Sequence, residues 1–320
     1  MAHITPEIEL NHDEFIYNLD PDNRPQILGA FGQAVRKREV SNKGKNDLAS
    51  STCREVVDKV EEVFRSNRQS DPLHGSFTIE DECIKLQFRG YTQSDPATKQ
   101  QKALTLSFFK QQYNMATTKQ QTAVALLCIA AFFWACRSCE FSTVKGERRT
   151  KICRIRNIRF FNGRRELSHY DPNLINAERV TWTFEDQKNL EKDVTIPHDN
   201  NNEPLMNPVR ALASTVQRIL SYPGTTIDTT LCTYYHNGKL IEFSQEDILA
   251  SLRKTANSIG KDRLGYNPEE IGTKSIRSAA AMSMFMDDTP VFMIMLMGRW
   301  SSDAFLKYIR CQDLEFTRGC

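Results

Sequence analysis

The chain has 320 residues, 42 Lys and Arg against 40 Asp and Glu, nine Cys and 40% hydrophobic residues. That composition excludes collagen-like, low-complexity and disulfide-scaffold classes, and the length corresponds to about two domains at roughly 150 residues each. A net charge of +2 does not identify a nucleic-acid partner, so any such reading has to come from where the charges sit.

Residues 1–22 are acidic and carry no basic segment ahead of a hydrophobic one. They read as a solvated, disordered tail and not as a signal peptide. Helical spacing covers Gln26 to Lys37 and Ser51 to Ser66, where Val56, Val57, Val60 and Val63 recur at steps of three and four behind an N-cap at Ser51 or Thr52. Ile84 to Phe88 extends a further short helix, completing a helical domain over residues 23–89. Gly90 to Gln101 holds Gly, Pro, Ser and Asp without a large aliphatic residue, so 90–102 reads as a linker and 103–320 as the second domain.

Lys119 to Phe141 is the strongest helix, apolar nearly all round and so central to a core. Within it the run Ala123 to Cys136 is shorter than the ~18 residues a membrane span needs, and no membrane association is expected. Cys136 and Cys139 form a lone C-x-x-C that reads as packing in a reducing compartment, not as a metal or redox site. Lys151 to Phe161 alternates like a strand. Arg179 to Glu185 and Lys192 to Pro197 form a hairpin across a loop of about six residues. Helices follow over Pro208 to Tyr222 and over Ser244 to Ile259, the latter with Ser244 and Asp247 as a capping box and Gly260 at its end. Three more cover Ser275 to Met286, Val291 to Met297 and Ser302 to Arg310, and the methionines from Met282 to Met297 read as core packing. The expected fold is mainly α with a small antiparallel β-sheet.

After residue 110 the chain carries 27 basic and 23 acidic residues, so the second domain is the positive one. Between Lys145 and Arg165 nine basic residues stand against Glu147 alone. On an extended segment Arg154 and Arg156 share a face, and with Lys145, Arg148, Arg149, Lys151 and Arg159 they form a row able to follow a phosphate backbone. A solvated hairpin is the plainer alternative.

Several residues suit phosphoryl transfer without a metal. Arg137 ends the apolar helix, where a buried guanidinium is costly unless it pairs or meets an anion, and Glu140 sits three residues on to orient it. Lys188 stands at the hairpin tip, and Lys274 and Arg277 lie three apart at a helix start. Gly298 to Arg310 presents Tyr308 on a short helix after the indole of Trp300. Each has an ordinary reading on its own: a core tyrosine, a packing indole, a solvated lysine, an ion pair of Arg137 with Glu140.

In this order and spacing the residues resemble the tyrosine recombinases, the phage-integrase superfamily, and most of all its eukaryotic mobile-element branch of crypton-like and DIRS-like enzymes. The resemblance runs from about Ser51 to Arg310 and is carried by GRWSSDAFLKYIR with the R-x-x-E and K-x-x-R segments. It implies a helical core-binding domain ahead of the catalytic domain. It further implies a site-specific recombinase that cleaves and rejoins double-stranded DNA, without metal, ATP or another cofactor, as a homo-multimer in the nucleus. By the same resemblance Tyr308 would attack the phosphodiester and Arg137 and Arg277 would clamp its oxygens. Lys188 would protonate the departing 5′-oxygen, Trp300 would donate its indole N–H, and Glu140 would support Arg137. Lys274 occupies the position at which the family usually carries histidine, and a lysine near its usual pKa of ~10.4 is a poor base. A catalytically silent DNA-binding descendant is therefore the alternative, and a DNA-relaxing enzyme of related chemistry is a third.

Overall fold

The computed structural model describes residues 19–40, 46–67, 69–76, 79–96, 101–145, 150–187, 191–300, 305–306 and 309. The chain divides into two compact units, Met1–Thr98 and Lys99–Cys320. The expected acidic tail lies outside the described residues up to position 18. Its last residues are built into the first unit: Pro21–Asn23 forms a 3₁₀ turn capped by the Asp20 side chain, and Asp22 accepts from the Ser76 backbone N–H at 2.9 Å.

In the first unit α1 (Arg24–Arg36), α2 (Ser50–Ser66) and α3 (Glu82–Ser94) enclose Leu28, Val35, Cys53, Val57, Leu73, Ile84 and Phe88. The cap of α2 is not Ser51 or Thr52. The helix begins at Ser50, whose N–H donates to Asp95 at 2.7 Å, and Asp95 in turn binds Arg36 at 2.8 Å. Those bonds hold the Asp95 carboxyl down at about 2. A cap supplied from 45 residues away leaves no local signal. Gly90–Ser94, read from composition as the start of a linker, is instead the last part of α3, held by Tyr91 packing edge-on against Phe88.

The second unit is built on α5 (Lys119–Phe133), opened by a Thr118/Gln121 capping box and buried from Ala123 through Phe132. Around it pack α4 (Leu106–Asn114), α7 (Pro208–Leu220), α8 (Gln245–Ile259) and α10 (Ser275–Met286). The helix does not run on to Phe141. Ala135 turns left-handed (φ 44°), Arg137 is extended (φ −77°, ψ 140°), and a separate turn, α6 (Ser138–Phe141), follows. The cause lies in the aromatic run: Trp134 donates its indole N–H to the Ile196 carbonyl at 2.9 Å and packs on Trp182 and His198. Burying that indole takes the chain off the helix axis.

A four-stranded antiparallel sheet, ordered β2-β1-β3-β4, covers one side, with β1 Ile158–Asn162, β2 Arg165–Leu167, β3 Arg179–Asp186 and β4 Lys192–Asp199. Ile158, Phe160, Val180, Trp182, Phe184 and Ile196 face inward in period two. The expected strand from Lys151 is shorter, because Ile155–Asn157 is a 3₁₀ turn. A second hairpin pairs β5 (Thr233–His236) with β6 (Lys239–Glu242) across Asn237 and Gly238, both at positive φ. The short α9 (Lys261–Leu264) leads towards α10, and α11 (Val291–Gly298) closes the described helices. The fold is mainly helical with small antiparallel sheets, as the sequence led us to expect.

Two packing expectations resolve differently. Cys136 is buried with a thiol pushed well up by burial, and Cys139 is partly exposed. The Met282–Met297 segment is only partly core: Met282 and Ile294 are buried, whereas Met286, Met293, Phe292 (62% exposed) and Leu296 (66%) face outward. A helix as short and uniformly apolar as α11 cannot bury every side when it packs on one.

His198 gives a stability prediction. Its ring is enclosed by Phe133 and Trp134, and burial pushes it down to about 4 despite a 2.9 Å bond to the Phe133 carbonyl. The native ring stays neutral between pH 6.5 and 4 while the unfolded chain takes up a proton. Stability therefore falls as pH drops through that window, by about 2–3 kcal/mol in all. Denaturant titrations of wild type and His198→Gln from pH 7 to 4 should show this slope in wild type and its loss in the variant; equal slopes would refute the assignment.

Candidate active site

Three arginines meet where α6 begins, α10 begins and α11 ends. Arg137, 21% exposed, donates Nη1 to Glu140 Oε1 at 3.0 Å, and its backbone N–H meets Glu140 Oε2 at 2.8 Å. This corrects the geometry expected from sequence: Arg137 does not end the long helix, and Glu140 reaches it as an N-terminal box on α6, not along one helical face. Arg277, on the first turn of α10, sends Nη2 to the carbonyls of Gly298 (2.5 Å) and Arg299 (3.5 Å). Arg137 Nη2 reaches the same Arg299 carbonyl at 3.3 Å. Two guanidinium groups 140 positions apart in the chain thus converge on one oxygen.

The charge around them is unbalanced. Glu140, 1% exposed, is shared between Arg137 and the third cation, Arg299, whose Nη2 lies 3.0 Å from Oε2. Burial, and then the nearby Arg137 and Arg299, push the Arg277 guanidinium well down, to about 9. Among the described residues its Nη1 is buried without a hydrogen-bond partner, as are Nε and Nη1 of Arg299. Among the described residues three cations stand around one carboxylate with buried donors unused, a site that an anion would complete.

Trp300 lies under Arg277. Its ring is 4.4 Å from the Arg277 guanidinium carbon and stacks on Phe305 at 5.1 Å. The indole crosses directly over Gly298, where an added Cβ would occupy the same space as the ring. Gly298→Ala should therefore expel Trp300 from beneath Arg277. The check is near-ultraviolet circular dichroism and indole fluorescence, both of which should change without loss of helical signal; unaltered spectra would mean that the ring has room.

Lys274 is exposed at the N-cap of α10, its backbone N–H held by Gln101 at 3.0 Å. Tyr308 and Lys188 lie outside the described residues. The hairpin stem around Lys188 is closed by a 3.1 Å bond from Gln187 N–H to the Glu191 carbonyl, and Phe305 and Ile309, on either side of Tyr308 in sequence, are buried with Ile294 and Met282.

The basic stretch is not the open row expected. Arg154 and Arg156 do not alternate along a strand, because Ile155–Asn157 turns between them. Arg156 is forked between Glu185 (3.1 Å) and Asp228 (2.5 Å), and Arg154 donates to the Asp228 carbonyl. Lys151 sits 3.5 Å from Glu185, Arg159 3.8 Å from Glu166 and Lys145 3.0 Å from Glu246. Arg148 and Arg149 are outside the described residues. The local count missed these acids because other strands, a loop and α8 bring them in. Arg299 was missed as well, although it stands between two residues of the motif.

No protein-family model matches the sequence, and no curated protein matches it. Among solved structures the chain is similar to the integrase of transposon Tn1549, solved in complex with a circular intermediate DNA. Sequence identity is 11%, the TM-score is 0.47, and the match covers 91% of this chain and 84% of that one.

Proposed function

We propose that the protein cleaves and rejoins double-stranded DNA as a tyrosine recombinase of the mobile-element kind. The observation that carries this is the convergence of Arg137 and Arg277 on one point in a site with surplus positive charge. Two planar forks so placed fit the two non-bridging oxygens of a phosphodiester and stabilise the charge that builds there in the transition state. The Tyr308 hydroxyl gives its proton to water and its oxygen forms a bond to phosphorus as the P–O5′ bond breaks, leaving a 3′-phosphotyrosyl link and a free 5′-hydroxyl. The proton the leaving oxygen needs comes from Lys188 on the hairpin between β3 and β4. Because the bond energy is kept in the phosphotyrosyl link, the reverse attack reseals the strand without ATP. Lys145, Arg148, Arg149, Lys151 and Arg159 remain the proposed backbone contacts, and two duplexes exchanging four strands imply a homo-multimer on DNA. Arg154, which spends one nitrogen on the Asp228 carbonyl, stays with them, whereas Arg156 leaves that set, all three of its nitrogens being committed to Glu185 and Asp228.

The test is covalent trapping on a pool of nicked duplexes. Wild type should give a species resistant to denaturant, and Tyr308→Phe should give none. Lys188→Ala should slow trapping on normal DNA but not on a 5′-bridging phosphorothiolate, whose thiolate departs without a proton. Wild-type DNA binding without any adduct would point to the silent, DNA-binding descendant.

A further inference from the structure

We propose that Arg299 is the positioning residue of this site: it touches no substrate, but its carbonyl and its guanidinium together fix Arg137 and Arg277 at one point. The inference rests on the anion-binding reading of the arginine pair. Arg299 sits at the end of α11 in a left-handed conformation (φ 56°, ψ 48°), unfavourable for a residue with a Cβ and natural to glycine. That strained backbone aims its carbonyl at both partners, Arg137 Nη2 at 3.3 Å and Arg277 Nη2 at 3.5 Å.

The side chain runs the opposite way and explains why the position is not glycine. It is 1% exposed, with Nη2 donating to the carbonyls of Trp134 (3.2 Å) and Ala135 (3.4 Å) and to Glu140 Oε2 (3.0 Å). Its guanidinium carbon lies 3.5 Å from the centre of the Phe184 ring. One residue thereby ties together the turn before Arg137, the strand leading to the Lys188 hairpin, and the end of α11 beside Arg277 and Trp300. Glu140 Oε2 takes Arg299 together with the Arg137 backbone N–H, while Oε1 takes the Arg137 guanidinium. Enclosed as it is, Arg299 acts through its neighbours.

The test uses the full chain and two probes, inorganic phosphate and nicked DNA. Arg299→Met combined with Glu140→Gln removes one positive and one negative group, so net charge is kept and no buried charge is stranded. Phosphate affinity by calorimetry should weaken at least tenfold in this double variant, with its melting temperature in phosphate-free buffer close to wild type. Arg299→Lys, which keeps the charge and loses the fork, should recover only part of the affinity and covers the case in which the double variant does not fold. On nicked DNA the adduct rate should fall by a similar factor while duplex affinity changes less than threefold. Wild-type phosphate affinity in the double variant, or in Arg299→Lys if that is the variant that folds, would overturn the positioning role and leave the anion site standing. Phosphate binding indifferent to Arg277→Met would overturn the anion site itself, and the positioning role with it.

Discussion

Arg277→Met is expected to lower the rate of DNA-adduct formation by roughly 10²–10³-fold, the loss typical of a donor aimed at transition-state charge, without destabilising the protein. The two effects part company because the Arg277 guanidinium is held in place at a cost. Burial and two neighbouring cations push it down to about 9, and one of its nitrogens has no partner among the described residues. Methionine keeps the stem against Trp300 and removes the desolvated charge, a change that is often neutral or stabilising for buried ions. Phosphate should raise the melting temperature of wild type and leave that of the variant unmoved. Thermal unfolding with and without phosphate, beside trapping kinetics, reads both quantities. A variant that melts several degrees lower would mean that Arg277 braces the fold instead.

Glu140→Gln has the opposite signature and the largest expected effect on stability. The carboxylate is 1% exposed and contacts two guanidinium groups, one of which, Arg299, is as deeply buried as itself. Removing the charge strands Arg299 beside two carbonyls that reach only its Nη2 and do not offset its charge. The expected loss is about 3–5 kcal/mol, roughly 10 °C in melting temperature for a unit of this size. Glu246→Gln, at the exposed pair with Lys145, is the control and should leave the melting temperature where it is. Equal behaviour of the two variants would mean that Glu140 is not bearing a buried charge.

What the sequence made legible was the part governed by local periodicity. The helices from Ser275 and from Ser244, the inward face of Val180, Trp182 and Phe184, and the Ser244/Asp247 box depend on neighbours within a few residues. The reading failed where a distant group decides. Ala135 breaks the central helix because Trp134 and Arg299 take up its turn from β4 and from the end of α11. Ser50 is capped by Asp95, and the arginine row is answered by Glu185 and Asp228. One omission was avoidable: Asn237-Gly238 between alternating residues is a strong hairpin signal, and it marks β5 and β6. Within the site, Arg137, Glu140, Arg277 and Trp300 were visible as motif residues. Arg299 was not, because nothing in Gly298-Arg-Trp300 says that its side chain turns inward to Glu140.

The most direct measurement is to map the residue that becomes linked to DNA. Duplexes of varied sequence carrying 5′-bridging phosphorothiolates accumulate any cleaved intermediate, since the thiolate that departs reseals poorly. Digestion and mass spectrometry then locate the nucleotide on the chain. The expected product is a peptide with a 3′-phosphate on Tyr308, absent from Arg137→Ala and from Arg277→Met. A nucleotide on any other side chain, or DNA that is bound and never linked, would contradict the proposal that these arginines gather a phosphodiester for attack by Tyr308.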